Sequence, residues 1–106
     1  MELRVLQYFL TVVQEENISR AAEVLHVTQP TLSRQMAQLE EELGVQLFVR
    51  GRHLTLTDAG VMLRRRAEEV TALMEKMQQE LEGHADVGGV ISIGSGGLMA
   101  LQALSP

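Results

Sequence analysis

The sequence contains no cysteine, which excludes a disulfide-stapled scaffold and a metal site built on thiolates. This absence also fits a reducing compartment. Aromatic residues are scarce, since Tyr8, Phe9 and Phe48 are the only three among the 106 residues. A core therefore has to be built mainly from Leu, Val, Ile, Met and Ala.

Long apolar runs are also missing. No stretch approaches the ~20 apolar residues of a membrane-spanning helix, and no basic N-terminal segment leads into an apolar run. We therefore expect a cytoplasmic protein. With 45% hydrophobic and 22% charged residues, the composition is typical of soluble globular domains, and the length fits one domain or a small domain with an appendage.

Positive charge is limited: the net charge is −5, and Lys76 is the only lysine. A net charge of this sign argues against a nucleic-acid partner. The signs are segregated, however, because the middle of the chain contains four arginines: Arg20, Arg34, Arg50 and Arg52. Binding depends on the local field at the contact face, so the net charge does not exclude DNA.

Apolar spacing predicts three helices in the first half of the chain. The first, 3–15, has apolar residues at gaps of three and four. The second, 20–26, is predicted to be capped by Ser19. Thr28 is predicted to cap the third helix, which contains Pro30 in its first turn and ends at Gly44.

The pattern then changes to alternation, and residues 45–57 are predicted to form a small β-hairpin with Arg50-Gly51-Arg52-His53 at its tip. Asp58 is predicted to cap a fourth helix, 58–82. Its apolar residues recur with a period of about 3.5 and form a seam that requires a partner helix: Leu63, Ala67, Val70, Met74, Met77 and Leu81.

The third helix has a polar face with side chains that match the donors and acceptors of base edges: Gln29, Thr31, Ser33, Arg34, Gln35 and Gln38. On a lone helix such a face is usually only solvated. Here a short helix and a tight turn precede it, which is the arrangement that presents a helix to the major groove. Arg50 and Arg52 at the hairpin tip suit a phosphate backbone or a minor groove, and Ser19 with Arg20 suits a phosphate at a helix start.

Two runs, SRAAEVL at 19–25 and VTQPTLSRQ at 27–35, resemble the helix-turn-helix of LysR-type transcription regulators. The resemblance continues through LE at 39–40, LG at 43–44, LFVR at 47–50 and LTDAG at 56–60, and covers about residues 3–83 without a gap. It implies a mainly α fold: a winged helix-turn-helix of three helices and a two-stranded wing at 1–58, followed by a long dimerisation helix at 59–83.

The same resemblance implies a homodimer on double-stranded DNA with a dyad-symmetric operator, its long helices antiparallel. Higher oligomers remain open for a full-length protein. The resemblance implies that the third helix and the wing contact DNA through Gln29, Pro30, Thr31, Ser33, Arg34, Arg50 and Arg52. Gln35 belongs to the same candidate surface, and His53 lies in the wing.

The segment 89–94, GVISIG, is similar to the first strand of the family's effector-binding domain. We therefore expect a fragment in which residues 84–106 form a hinge and the truncated start of that domain, with a short strand at 90–93 and a short helix at 98–104. A lone strand of this kind is expected to pack poorly. No cofactor is expected in the fragment, whereas the missing domain would bind a small-molecule effector.

Alternative functions have weaker support. The histidines, His26, His53 and His84, are too scattered for a metal site, and no nucleophile–base pair suggests an enzyme. Glu40 and its two acidic neighbours point in different directions on a helix, and Glu40 is expected to pair with a basic group elsewhere. The main rival is a protein-interaction module with a coiled coil, which would show no salt-dependent binding to duplex DNA.

Overall fold

A computed structural model of the chain describes residues 1–87. Within this range the elements are α1 (Leu3–Glu15), α2 (Ile18–Leu25), α3 (Gln29–Leu43), β1 (Phe48–Val49), β2 (Thr55–Leu56) and α4 (Asp58–Val87). The predicted mainly helical fold with a two-stranded antiparallel wing is confirmed. The strand predicted at 90–93 and the helix predicted at 98–104 lie outside the described residues.

The core of the first compact unit, Met1–Thr71, is built from the inner faces of the first three helices and the start of the wing. Its nine buried members are Phe9, Val12, Ala21, Ala22, Leu32, Met36, Leu39, Leu47 and Phe48. Phe9 of α1 and Phe48 of β1 pack with their ring centroids 5.5 Å apart. Two of the three aromatic residues therefore join the helices to the wing.

The second helix begins earlier than predicted, because Asn17 rather than Ser19 is its cap. Asn17 has an extended backbone, and its side chain accepts a hydrogen bond from the backbone N–H of Arg20 at 2.9 Å. An asparagine at this position satisfies an N–H that the first helical turn leaves unpaired. Ser19 consequently lies inside the first turn, and the helix ends at Leu25 with His26 in the left-handed conformation at φ 59°.

The third helix begins and ends as predicted. The side chain of Thr28 accepts from the backbone N–H of Thr31, and Pro30 lies in the first turn, where a missing N–H does no harm. Gly44 ends the helix at φ 72°, and its N–H donates to the carbonyls of Glu40 and Glu41. Both ends of this helix therefore follow from local sequence alone.

Thr57, not Asp58, caps α4. The hydroxyl of Thr57 accepts from the N–H of Gly60 at 3.0 Å and donates to the carbonyl of Gln46 at 2.6 Å. The backbone N–H of Thr57 donates to the carbonyl of Leu47 at 3.0 Å. Because Thr57 already lies against the chain that enters the wing, its hydroxyl is the one positioned to cap the helix.

The long helix also continues past its predicted end, through Gly83 to Val87. An internal glycine costs about 1 kcal/mol relative to alanine, which weakens a helix without obliging it to stop. Gly44, by contrast, has a positive φ and ends α3. The sequence pattern did not distinguish these two glycines.

Replacing Gly60 by alanine is expected to destabilise the protein. A Cβ at this position would collide with the backbone carbonyl oxygen of Leu47, which the Thr57 N–H holds in place. We expect a loss of about 2 kcal/mol, typical of overpacking a site that cannot expand. Urea unfolding at fixed protein concentration measures it.

The matched control is Gly83→Ala, since a Cβ there meets nothing within 4 Å. This change should leave stability unchanged or raise it by up to about 1 kcal/mol through helix propensity. Equal stability of the two variants would mean that the close approach at Gly60 does not constrain the fold.

Candidate nucleic-acid interface

α2 and α3 form a helix-turn-helix joined by residues 26–28. The reversal depends on His26, whose left-handed backbone lets its own N–H donate to Glu23 and that of Val27 donate to Ala22. Ala21 and Ala22 are buried on the inner side of α2, where their small side chains permit a close neighbour. This geometry holds the second helix of the pair at a defined angle to the first.

The inner face of α3 is buried in the core, and its outer face is exposed to solvent. Leu32, Met36 and Leu39 are buried. Near the start of the helix, Gln29, Pro30 and Arg34 are exposed, while Thr31 and Ser33 are half-buried. The structure therefore brings five of the predicted base-reading residues together on the N-terminal half of one helix.

Hydrogen bonds between neighbouring side chains order this reading surface, which consists of Gln29, Pro30, Thr31, Ser33 and Arg34. The Gln29 amide donates to the Ser33 hydroxyl at 3.2 Å, and the Thr28 hydroxyl donates to that of Thr31 at 2.7 Å. The amide oxygen of Gln29 and its second N–H are not used in this contact. A partly ordered polar surface loses less conformational entropy when it binds.

Gln35 lies between the reading surface and the buried face of α3, one helical turn after Thr31. It lines a cleft of about 370 Å³ together with Met1, Arg4 and Val5 of the N-terminal segment. Its amide oxygen is buried and makes no hydrogen bond among the described residues. That Gln35 contacts DNA stays a prediction.

The wing is short and basic. Phe48 pairs with Leu56 and Val49 with Thr55, and the connecting tip contains the exposed Arg50, Arg52 and His53 together with Gly51. Ser19 and Arg20, in the first turn of α2, are exposed as well. Within residues 1–87 the ion pairs are Met1–Glu42, Glu2–Arg4 and Arg66–Glu69. None of them engages an arginine of the reading surface, the wing or α2.

The acidic residues of α3 lie at its C-terminal end, away from the reading surface. The N-terminal ammonium donates to the Glu42 carboxylate at 2.8 Å, and this hydrogen bond raises the pKa of the ammonium above its usual value. Negative and positive groups of the helix are therefore separated along its length. This separation explains how an acidic chain can present a basic contact face.

Glu40 makes a contact that sequence analysis missed. One oxygen of its carboxylate accepts hydrogen bonds from the backbone N–H groups of Leu47 and Phe48, at 2.7 and 3.2 Å. The predicted pairing of Glu40 with a basic group is wrong. Every residue except proline has a backbone N–H, so the pattern of residue types does not indicate which of these groups a side chain will bond.

The predicted seam of α4 divides into two sets in the structure. Ala67 is only 1% exposed and Leu63 packs against the core, so both are covered by their own chain, and Met74 is half-buried. Val70, Met77 and Leu81 are exposed in the single chain, and their burial by a partner helix stays a prediction. Three further exposed apolar residues of α4 lie outside the predicted seam: Val61, Met62 and Leu73, at 42%, 59% and 67%.

The difference follows from position along the helix and not from rotation around it. Leu81 follows Leu63 by eighteen residues, or about five full turns at 3.6 residues per turn, so the two residues lie on the same side of α4. Leu63 packs against the core of the first compact unit, Met1–Thr71, whereas Met77 and Leu81 lie beyond the end of that unit. Leu73 was missed because it stands next to Met74, which fits the repeat.

This arrangement defines a winged helix-turn-helix DNA-binding domain. Its reading helix is α3, which α2 precedes and the basic wing follows. The sequence profile described as "Bacterial regulatory helix-turn-helix protein, lysR family" matches residues 3–61, more than half of the chain. The chain therefore belongs to the lysR family of bacterial regulatory helix-turn-helix proteins.

Curated relatives include the HTH-type transcriptional regulator BsdA of Bacillus subtilis (strain 168), 44% identical over 98 residues, which are 90% of this chain and 34% of BsdA. The HTH-type transcriptional regulator CatR of Pseudomonas putida is 57% identical over 60 residues, which are 57% of this chain and 21% of CatR. The chain thus spans about a third or less of the length of these relatives.

Solved structures agree in fold. The BenM DNA-binding domain in its complex with catB site 1 DNA has a TM-score of 0.77 at 39% identity, covering 81% of this chain and 94% of that chain. The CbnR DNA-binding domain in its DNA complex has a TM-score of 0.74 at 37% identity, covering 80% and 99%. Among the described residues 1–87, none of the helices combines the length and the apolar character of a membrane span.

Removing the cap of the reading helix is expected to destabilise the domain. Thr28→Ala deletes the oxygen that accepts from the Thr31 N–H and the hydroxyl that donates to the Thr31 side chain. The expected loss is about 1 kcal/mol. Thermal unfolding checks it, with Thr11→Ala as the control because the Thr11 hydroxyl only bonds back to Gln7 within α1. An equal loss in both variants would contradict a specific capping role.

Proposed function

We propose that this chain is the DNA-binding part of a bacterial LysR-type transcription regulator and reads a dyad-symmetric operator as a homodimer. The observation that carries the proposal is the exposed polar N-terminal half of α3, whose opposite face is locked into the core. A helix held in this way can enter the major groove while its angle stays fixed. The solved DNA complexes of the BenM and CbnR domains support the same use of this fold.

The proposed division of labour follows from side-chain chemistry. Arg34 suits guanine, Gln29 suits adenine, and the hydroxyl of Ser33 suits either base. Pro30 and Thr31 lie beside them and line the groove. The remaining DNA contacts are assigned to phosphates or the minor groove, at the start of α2 and in the wing: Ser19, Arg20, Arg50, Arg52 and His53.

The homodimer is proposed to form through the exposed apolar residues of α4. Val70, Leu73, Met77 and Leu81 leave large apolar side chains in water in the single chain. A second copy would cover them, since a helix with such residues gains stability from a partner helix. The two winged helix-turn-helix domains of one dimer would then bind two half-sites related by a dyad.

For the whole protein we propose transcription regulation in the bacterial cytoplasm, where the chromosome lies. Its relatives BsdA and CatR are named as transcriptional regulators, which favours a regulator over an enzyme. We further propose that a domain beyond this chain binds a small-molecule effector. Residues 84–106 are proposed to be the connection to it.

Substitutions on the reading surface and in the wing should have different effects. Arg34→Ala or Ser33→Ala should weaken operator binding much more than random-duplex binding, by about 1–3 kcal/mol of discrimination each. Arg50→Ala should weaken both duplexes by similar factors and lower the salt slope by about one unit, as expected for one lost phosphate contact. Titration of each variant against both duplexes at several salt concentrations measures this.

Two outcomes would overturn these assignments. Equal losses on both duplexes for Arg34→Ala would mean that α3 does not read the bases. Absence of salt-dependent binding to any duplex would favour the rival protein-interaction module.

Introducing a charge among the exposed apolar residues of α4 should dissociate the dimer. Met77→Glu places a carboxylate among residues that the partner would bury, where an unpaired charge costs several kcal/mol. Sedimentation at micromolar concentration should show a monomer for this variant and a dimer for the unmodified chain. Gln79→Glu adds the same charge about 200° away on the helix and should leave the dimer intact. A stable monomer in the unmodified chain would contradict the proposal.

A further inference from the structure

The wing is too small to hold its own position. It contains two paired residues on each strand, Phe48 with Leu56 and Val49 with Thr55. An isolated two-stranded hairpin is marginal in water even when it is longer. The orientation of its arginine-bearing tip therefore depends on contacts at its base.

The two chain segments at the base of the wing are bonded to each other, and the entering segment is also held from outside the hairpin. Glu40 of α3 accepts from the N–H groups of Leu47 and Phe48 on the entering side. On the leaving side, Thr57 donates from its backbone to Leu47 and from its hydroxyl to Gln46. Thr57 therefore joins the two segments to each other, whereas Glu40 joins them to α3.

We propose that Glu40 is a positioning residue for DNA binding: it fixes the wing to α3, so that both can contact one duplex at once. This inference rests on the proposed function, in which α3 reads bases and Arg50 contacts phosphate. Glu40 follows Gln29 by eleven residues, or roughly 16 Å along the helix, so it acts at a distance from the reading surface. A carboxylate that accepts two backbone N–H bonds makes stronger contacts than a neutral acceptor.

The physical consequence is preorganisation. With the base of the wing held, Arg50 reaches a phosphate without first ordering the segment that leads to it. Without Glu40 the backbone N–H groups of residues 47 and 48 would have to donate to water instead. The wing would then become ordered only when it binds DNA. Such an ordering cost lowers affinity for every duplex and leaves base preference unchanged.

Three variants distinguish the effect of the Glu40 charge from the effect of its side-chain length. Glu40→Gln loses the charge but keeps an oxygen at the same distance, Glu40→Asp keeps the charge but shortens the side chain, and Glu40→Ala removes both. If the hydrogen bonds position the wing, Glu40→Asp and Glu40→Ala should weaken operator and random duplex by similar factors and lower the salt slope by about one unit. Glu40→Gln should retain most of the affinity.

The matched control is Glu41→Ala, which removes the same charge from an exposed neighbouring position. If charge alone mattered, Glu41→Ala and Glu40→Ala would change affinity in the same direction. We expect instead that Glu41→Ala binds at least as well as the unmodified chain, because it removes a negative charge from a DNA-binding domain.

A double-variant cycle with Arg50→Ala tests the mechanism directly. Arg50→Ala should weaken binding in the unmodified chain and in Glu40→Gln, but should have little further effect in Glu40→Asp, because the wing contact is already lost. Hydrogen exchange should speed up at the amides of Leu47 and Phe48 in Glu40→Asp and stay slow at Met36 in the core.

The outcomes are distinct. Full additivity of Glu40→Asp and Arg50→Ala, or unchanged exchange at Leu47 and Phe48, overturns the positioning role. If Glu40→Ala fails to fold, the Asp and Gln variants complete the test. Equal losses of operator affinity and random-duplex affinity in Arg34→Ala would instead overturn the proposed function, and this result does not depend on Glu40.

Discussion

The structure depends above all on the packing of one face of α3. Leu32, Met36 and Leu39 are buried in the core that α1 and α2 also line. The same three side chains that stabilise the domain therefore determine which side of the helix faces outward. Because close-packed interiors resist rotation of a helix, the polar residues on the opposite side are presented at a fixed angle. The stability of the domain and the orientation of its reading surface therefore depend on the same helix. A substitution that weakens the packing of the inner face of α3 is expected to alter both.

A second constraint operates at the base of the wing, where the backbone groups of Leu47 have partners on both sides. The carbonyl of Leu47 lies against Gly60 and accepts from Thr57, while the N–H of Leu47 donates to Glu40. Buried backbone groups need partners, and here the partners come from both neighbouring helices. Leu47 thus connects the end of α3 to the beginning of α4, with the wing between them.

The electrostatics show why net charge is a poor guide to the partner of this chain. The total of −5 is compatible with DNA binding because acidic and basic groups occupy different places. Glu42 pairs with the N-terminal ammonium and Glu40 with backbone amides, whereas Arg34, Arg50 and Arg52 are exposed. Two of the three carboxylates at the C-terminal end of α3 therefore already have partners.

The sequence by itself determined the four helices, the hairpin, the caps at Thr28 and Gly44, and the polar surface of α3, because these features follow from periodicity and from bonds between near neighbours. Only the tertiary structure decided that Thr57 caps α4, that Glu40 holds the wing, that Gln35 lies in the cleft beside Met1, and that Ala67 is covered by its own chain. Each of these depends on contacts between segments or on the rotation of a helix against its neighbours. Local rules constrain which residues share a face, but the partner of that face is set by how the chain packs.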